Sequence, residues 1–227
     1  VEIGPGQGAL TLGLLDRVGE LDAIELDRDL LPVLERKAAG RGVLRIHQAD
    51  ALKFDFRSLK TDERPLRLVG NLPYNISTPL LFHLIGQADV IQDMHFMLQK
   101  EVVDRMAAGP GSKTYGRLSV MLQVSCEVTP LFDIGPEAFD PPPKVDSSVV
   151  RLVPLAEPLV GPEDTDGFAA LVSAAFAHRR KTLRNNLKGL LDADQISASG
   201  VDPALRAEAL GLDAFIRLAD ARSAADH

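Results

Sequence analysis

Through the first half of the chain, short apolar runs alternate with stretches in which leucines recur at helical spacing. Val1-Glu2-Ile3 reads as the end of a strand and runs into Gly4-Pro5-Gly6-Gln7-Gly8. Leu10, Leu14, Leu15 and Val18 then mark one helix face, and Gly19 is placed to stop that helix. Leu21 to Ile24 predicts a second strand. Asp27 is placed to cap a helix that carries Leu30, Leu31 and Leu34 and ends near Gly40. Val43 to Ile46, Leu66 to Val69 and Met94 to Leu98 predict three further strands. Strand–helix alternation of this kind implies an α/β fold, a parallel sheet with helices on both faces.

After Arg117 the pattern changes. Cys126 to Ile134 and Ser147 to Leu155 read as a closing antiparallel pair, with the proline-rich Phe139 to Lys144 between them. Beyond Pro158 the strand signals vanish, GPEDTDG reads as a linker or turn, and the remainder is helical in character. The expected division is a first domain over 1–157 and a small helical domain over 158–227.

Composition narrows this picture modestly. The 227 residues are 45% hydrophobic and 25% charged, as in an ordinary globular protein. A single cysteine, Cys126, excludes an internal disulfide framework and a cysteine-based zinc site, and the five histidines are scattered. No metal site is therefore expected. No apolar run approaches the ~20 residues of a membrane span, so a cytoplasmic protein with no membrane partner is the expectation. The net charge of −7 argues against a chain-wide cationic surface but leaves room for local basic clusters.

The candidate chemistry sits at the strand ends. Gly4, Gly6 and Gly8 let a backbone approach a ligand closely, although their spacing is not the dinucleotide fingerprint. A tight turn is the plainer alternative. Glu25 ends the second strand, where a carboxylate can accept both hydroxyls of a ribose, or can simply be solvated. Asp50 follows the third strand and suits either a ligand crevice or a turn cap. The fourth strand runs into Gly70-Asn71-Leu72-Pro73-Tyr74. Pro73 biases Leu72 toward an extended conformation that can turn carbonyls outward, Asn71 adds an acceptor, and Tyr74 adds a flat face. That group can grip an exocyclic amine, or be a proline turn with a packed tyrosine.

Basic residues cluster near the C-terminal end, in HRRKTLRNNLK. Arg180, Arg184 and Lys188 fall four apart, which predicts one helix face for phosphate, with Leu183, Leu187 and Leu190 on another. A solvated amphipathic face is the alternative. The loop AAGPGSKTYGR, with Lys113, Tyr115 and Arg117, is a second candidate contact or a mobile surface loop.

The ordered series EIGPGQGALT, AIELD, QAD and NLPY resembles the S-adenosylmethionine-dependent adenine-N6 methyltransferases. With AFDPPPKVDSSVVRLVP and AFAHRRKTLRNNL added, the chain resembles the ribosomal RNA small-subunit adenine dimethyltransferase family, the kasugamycin-sensitivity enzymes, from Val1 to about Leu190. The resemblance implies a Rossmann-like sheet and S-adenosylmethionine as cofactor. It implies dimethylation of two adjacent adenosines near the 3′ end of small-subunit (16S) ribosomal RNA, in the immature 30S subunit, by a monomer. Gly4, Gly6 and Gly8 would then border the methionine part, Glu25 would hold the ribose and Asp50 the adenine amine, with Leu26, Ala51 and Asn71 also against the cofactor. Asn71, with carbonyls at Leu72 or Pro73, would orient the target amine between the rings of Tyr74 and Phe139. Lys113, Arg117, Lys144, Arg179, Arg180, Lys181, Arg184 and Lys188 would face RNA.

Members of that family carry an N-terminal segment with a Gln-x-Phe-Leu motif before the glycine loop, so a few dozen upstream residues are expected. Two rivals remain at this point: a large-subunit methyltransferase of the antibiotic-resistance type, and an assembly factor that binds RNA without catalysis.

Overall fold

A computed structural model describes residues 1–73, 75–161 and 163–225. Its seven strands form one sheet in the order β3-β2-β1-β4-β5-β7-β6. They are β1 (Glu2–Ile3), β2 (Glu20–Glu25), β3 (Val43–Gln48), β4 (Leu66–Asn71), β5 (Ile91–Gln99), β6 (Cys126–Ile134) and β7 (Ser147–Pro154). The pairs among β1 to β5 are parallel, and β7 runs antiparallel to β5. The helices α1 (Thr11–Val18) and α2 (Leu31–Ala38) connect strands that step outward from β1. Helix α3 (Ser77–Ile85) connects strands that step the other way. Right-handed crossovers therefore put α1 and α2 on one face and α3 on the other, as the alternating pattern predicts.

Strand alternation explains the sheet's two chemistries. Leu68 pairs with Met94, Met94 with Leu152, and Phe96 with Val150. All five are fully buried, so one face is a continuous apolar layer of the kind that drives folding. On the opposite face Arg67 lies across from Asp93 and holds it through two 2.9 Å hydrogen bonds. Burial alone would raise the Asp93 pKa, but this guanidinium, with His95 and Arg151 nearby, brings it below the usual carboxylate value.

The two sheet edges differ. On the β3 side, Arg45 and His47 pair with Glu20 and Asp22 of β2. At the other edge β6 leaves Leu131 and Phe132 exposed, with Pro130 just before them.

The chain divides into two compact units, Val1–Val103 with Thr129–Pro154, and Asp104–Val128 with Leu155–His227. The second unit holds α5 (Arg117–Gln123), α6 (Thr165–Ala175), α7 (Leu183–Asn186), α8 (Ala193–Ala198) and α9 (Leu212–Ala225), while α4 (Lys100–Met106) spans the boundary between the units. Segment 104–128, placed in the first domain by the sequence pattern, thus belongs with the C-terminal helices. Phe168, Leu171 and Val172 of α6 and Phe215 and Leu218 of α9 are buried and form much of this unit's core.

Two local expectations are corrected. Asp27 does not cap α2: its Oδ1 accepts from Asp29 N in a turn over 27–30, and the helix starts at Leu31. The basic segment is not one helix either. Residues 178–182 form a turn and α7 is one turn long. Asn186 Nδ2 donates to Ala175 O and His178 O, which folds the chain back on the end of α6. Leu183 N and Arg184 N donate to Leu205 O and Pro203 O, so distant carbonyls satisfy the helix start. Leu183 and Leu187 are buried as their spacing predicts. Arg180 lies in the turn and Arg184 in α7, so they do not share a helix face with Lys188.

Candidate active site

The strand order sets the predicted residues side by side. Gly4 follows β1, Glu25 ends β2, Asp50 follows β3 and Asn71 ends β4. Those strands are neighbours in the order β3-β2-β1-β4. At about 4.8 Å between strands, the row Asp50, Glu25, Gly4, Asn71 spans roughly 14 Å. It lies at the carboxyl edge of the sheet, where open α/β sheets bind ligands.

The glycine loop is shaped by main-chain geometry. Gly4, Gly6 and Gly8 have φ of 67°, 56° and 88°, a region that L side chains rarely enter. Gly4 N donates to Ile24 O at 3.0 Å. A Cβ on Gly4 would lie 4.0 Å from the Asn71 carbonyl, and one on Gly8 would press into the Leu34 side chain at 2.8 Å.

Glu25 is 8% exposed and ties the loop to its own strand. Its Oε2 accepts from Gly6 N at 3.1 Å and its Oε1 from Asp27 N at 2.9 Å. Each oxygen keeps a lone pair for a hydroxyl donor. Beside it Leu26 is 67% exposed, an apolar side chain open to a ligand's flat face. Asp50 also has a structural use, since its Oδ1 accepts from Leu52 N at 3.0 Å. Ala51, in the same turn, is half-buried.

At the β4 tip Asn71 is exposed and no other described residue bonds its amide. Leu72 is buried and its N–H donates to Met97 O at 3.1 Å, which fixes the chain as it leaves the strand. Pro73 O accepts from Ile76 N at 3.2 Å. Tyr74 lies outside the described residues. Phe139 sits half-buried in the connection between β6 and β7, which leaves the sheet at the same carboxyl edge, since Ser147 pairs with Gln99.

Two buried polar residues under the loop escaped the sequence reading. Glu2 Oε2 and Thr11 Oγ1 are enclosed with no hydrogen-bond partner among the described residues. Burial pushes the Glu2 carboxyl pKa up, and the Glu25 carboxylate adds to this. The Thr11 hydroxyl is near enough to oppose the shift without making a hydrogen bond of ordinary geometry. A glutamate between two apolar residues in a buried strand was the available signal.

A raised folded-state value means that the unfolded chain ionises first as pH rises. Stability is therefore lost from about the ordinary value of 4.5 upward. Glu2→Gln is expected to raise the melting temperature at pH 7 and flatten its pH dependence, as read from thermal melts between about pH 4.5 and 7.5.

The basic candidates are distributed. Lys144 is exposed in the first unit. Lys113, Arg117, Arg180, Lys181, Arg184 and Lys188 are exposed in the second. Arg184 and Lys188 line a cleft of about 500 Å³ with Asn185 and Asp192. Tyr115 is 4% exposed, so it anchors its loop and presents no face to a partner.

The glycine loop, Glu25, Asp50 and the Asn71–Pro73 tip thus stand on four adjacent strand ends of a Rossmann-like sheet, the arrangement of a nucleotide-type ligand crevice. The sequence profile described as "Ribosomal RNA adenine dimethylase" matches residues 1–222. The chain is 61% identical to a "Ribosomal RNA small subunit methyltransferase A" of Pseudomonas syringae, over 98% of this chain and 83% of that protein. It is 59% identical to the protein of that name from Pseudomonas aeruginosa, over 97% and 82%. A crystal structure of a dimethyladenosine transferase from Plasmodium falciparum superposes with a TM-score of 0.78 at 26% identity, covering 96% of this chain and 86% of that one. The 23S rRNA methyltransferase ErmE shares the fold, with a TM-score of 0.72 at 24% identity, covering 98% and 89%. The chain belongs to the ribosomal RNA adenine dimethylase family.

S-adenosylmethionine is the cofactor of this family, and the residues present fit it. Glu25 has acceptor capacity for ribose hydroxyls, and Leu26 offers apolar cover.

Proposed function

We propose that the chain transfers methyl groups to N6 of adenines in small-subunit ribosomal RNA, making N6,N6-dimethyladenosine at two adjacent positions near the 3′ end. The observation that carries this reading is the Asn71 amide, exposed at the β4 tip, bonded by no other described residue and one strand from the glycine loop. When bound, S-adenosylmethionine supplies an electrophilic methyl group on a sulfonium. The chain's own task is to present a poor nucleophile to it, because the adenine N6 lone pair is delocalised into the ring.

Asn71 Oδ1 accepts one N6–H and a main-chain carbonyl the other, which favours a pyramidal nitrogen aimed along the row of strand ends. Leu72 O suits the second role better than Pro73 O, which already accepts from Ile76 N. A paired base cannot reach this edge, so the adenosine must leave its stack. Tyr74 and Phe139 are assigned to its two faces, at roughly 1–3 kcal/mol per stacked base.

Lys113, Arg117, Lys144, Arg180, Lys181, Arg184 and Lys188 are assigned to phosphates, where clustered cations offset an acidic chain. Immature 30S subunits in the cytoplasm are the proposed partner of a monomeric enzyme. Among the described residues no helix is long and apolar enough to cross a membrane. The relatives named for the small subunit favour this target over the large-subunit alternative.

The test supplies methyl-labelled S-adenosylmethionine with immature small subunits, digests the RNA and identifies the labelled nucleoside. Dimethyladenosine at two adjacent 3′-proximal sites is the expected product. Label in large-subunit RNA alone, or none, overturns the reading.

A further inference from the structure

The basic turn and the glycine-rich loop of the second unit are held together by one side chain. Arg179 Nε donates to Glu208 Oε2 at 3.1 Å, and its Nη2 donates to the Lys113 carbonyl at 2.6 Å. Gly111 N in the same loop donates to the Glu208 carbonyl at 2.7 Å. Glu208 thus holds the loop through its main chain and the arginine through its side chain.

Two more contacts fix the loop's end. Ser112 Oγ accepts from Tyr115 N at 3.2 Å. The buried Tyr115 ring meets Phe176 edge-on, with centroids 6.0 Å apart, and Phe176 stacks on Phe215 at 5.6 Å. A segment with three glycines between 109 and 116 is therefore held at both ends and at its middle.

Charge assigns the roles. The Arg179–Glu208 pair is neutral as a unit, so the positive field here comes from Lys113, Arg180 and Lys181, all exposed. To bind a phosphate through the same N–H groups, Arg179 would have to release a carboxylate and a carbonyl. We propose that Arg179 is a positioning residue: with Glu208 it clamps the Lys113 loop to the 178–181 turn, so that Lys113, Arg180 and Lys181 form one composite site for an RNA phosphodiester. This rests on the ribosomal RNA reading given above and deepens it.

The clamp predicts an effect of unusual sign. Removing a carboxylate from an RNA-binding surface ordinarily strengthens polyanion binding, because a repulsive charge is gone. Here Glu208→Ala keeps the main-chain bond from Gly111 N but removes the carboxylate that orients the Arg179 guanidinium onto the Lys113 carbonyl, so the Lys113 end of the loop loosens and binding weakens.

The experiment measures affinity of the full-length protein for a small-subunit rRNA transcript across a salt series, with melting temperature and cofactor affinity followed in parallel. Arg179→Ala and Glu208→Ala should each weaken binding ~5-fold at 0.15 M salt and lower the salt slope by about 0.9, the signature of one lost phosphate contact. Lys113→Ala should add little on top of Arg179→Ala. Arg179→Lys should not restore binding, because a lysine cannot span both acceptors although it keeps the charge.

Tighter binding by Glu208→Ala, or rescue by Arg179→Lys, overturns the clamp and leaves the rRNA reading standing. A wild-type protein without salt-dependent binding to the transcript removes both.

Discussion

Asn71→Ala is expected to slow methyl transfer to ribosomal RNA by ~100- to 1,000-fold while cofactor affinity stays within a few-fold. The residue ends β4 with its amide unbonded by other described residues. Its neighbours, in contrast, are committed: Leu72 N to Met97 O, and Pro73 O to Ile76 N. Truncation therefore leaves the strand exit in place and removes one acceptor from the target amine. By analogy with the loss of one oxyanion-hole donor, that costs about 2.7–4 kcal/mol of transition-state stabilisation. The proposed cofactor residues Glu25 and Asp50 lie on other strands and are untouched. Single-turnover transfer and calorimetric cofactor binding, measured on the same preparation, separate the two quantities. Near-normal transfer by the variant would remove Asn71 from the chemistry.

Gly70→Ala is expected to cost a large share of the stability and most of the activity. Gly70 lies within β4, in the interior of the sheet between β1 and β5. A Cβ there would sit 2.5 Å from the Ile3 carbonyl and 3.2 Å from the Leu72 side chain. The first obstacle is backbone of the adjacent strand, so a rotamer change gives no relief. Overpacking in a good core typically costs about 1–3 kcal/mol, and a main-chain collision falls at or beyond the upper end. Total stabilities are about 5–15 kcal/mol. The forced separation of β1 from β4 also moves the glycine loop away from Asn71, so surviving folded protein should bind cofactor poorly. Gly13→Ala is the matched control: no atom outside the local helix lies within 4 Å of the added Cβ, and a helix-interior glycine replaced by alanine should gain about 0.5–1 kcal/mol. Urea unfolding of the two variants, with cofactor titration, tests the contrast.

The placement of the candidate site was legible in the sequence where its residues are local to a strand end. Gly4, Glu25, Asp50 and Asn71 each follow an apolar run, and the sheet order alone makes them neighbours. Strand positions were equally accessible, because alternation across a buried sheet leaves its mark on residues such as Leu68, Met94 and Phe96. What was not legible depends on remote partners. The spacing of Leu183 and Leu187 suits a long helix, yet carbonyls at 203 and 205 take the start of α7 and Asn186 folds the chain onto α6. No pattern within 178–190 encodes those bonds. Gly70 is similar: its need for a hydrogen in place of a side chain is set by Ile3, 67 positions away in the chain. Of the two readings of Asp50 that competed on local grounds, the turn cap is borne out, since its Oδ1 accepts from Leu52 N, and the cofactor role stays a proposal.

The unequal edges of the sheet bear on how the protein behaves in crowded solution. A strand edge is a template that another polypeptide can extend rung by rung. On the β3 side the paired charges of Arg45, His47, Glu20 and Asp22 make such an approach costly in desolvation. β6 instead shows Leu131 and Phe132 to water, and Pro130 beside them contributes no N–H. The apolar border lacks the charges that guard the β3 side, so extension by another strand would cost least there.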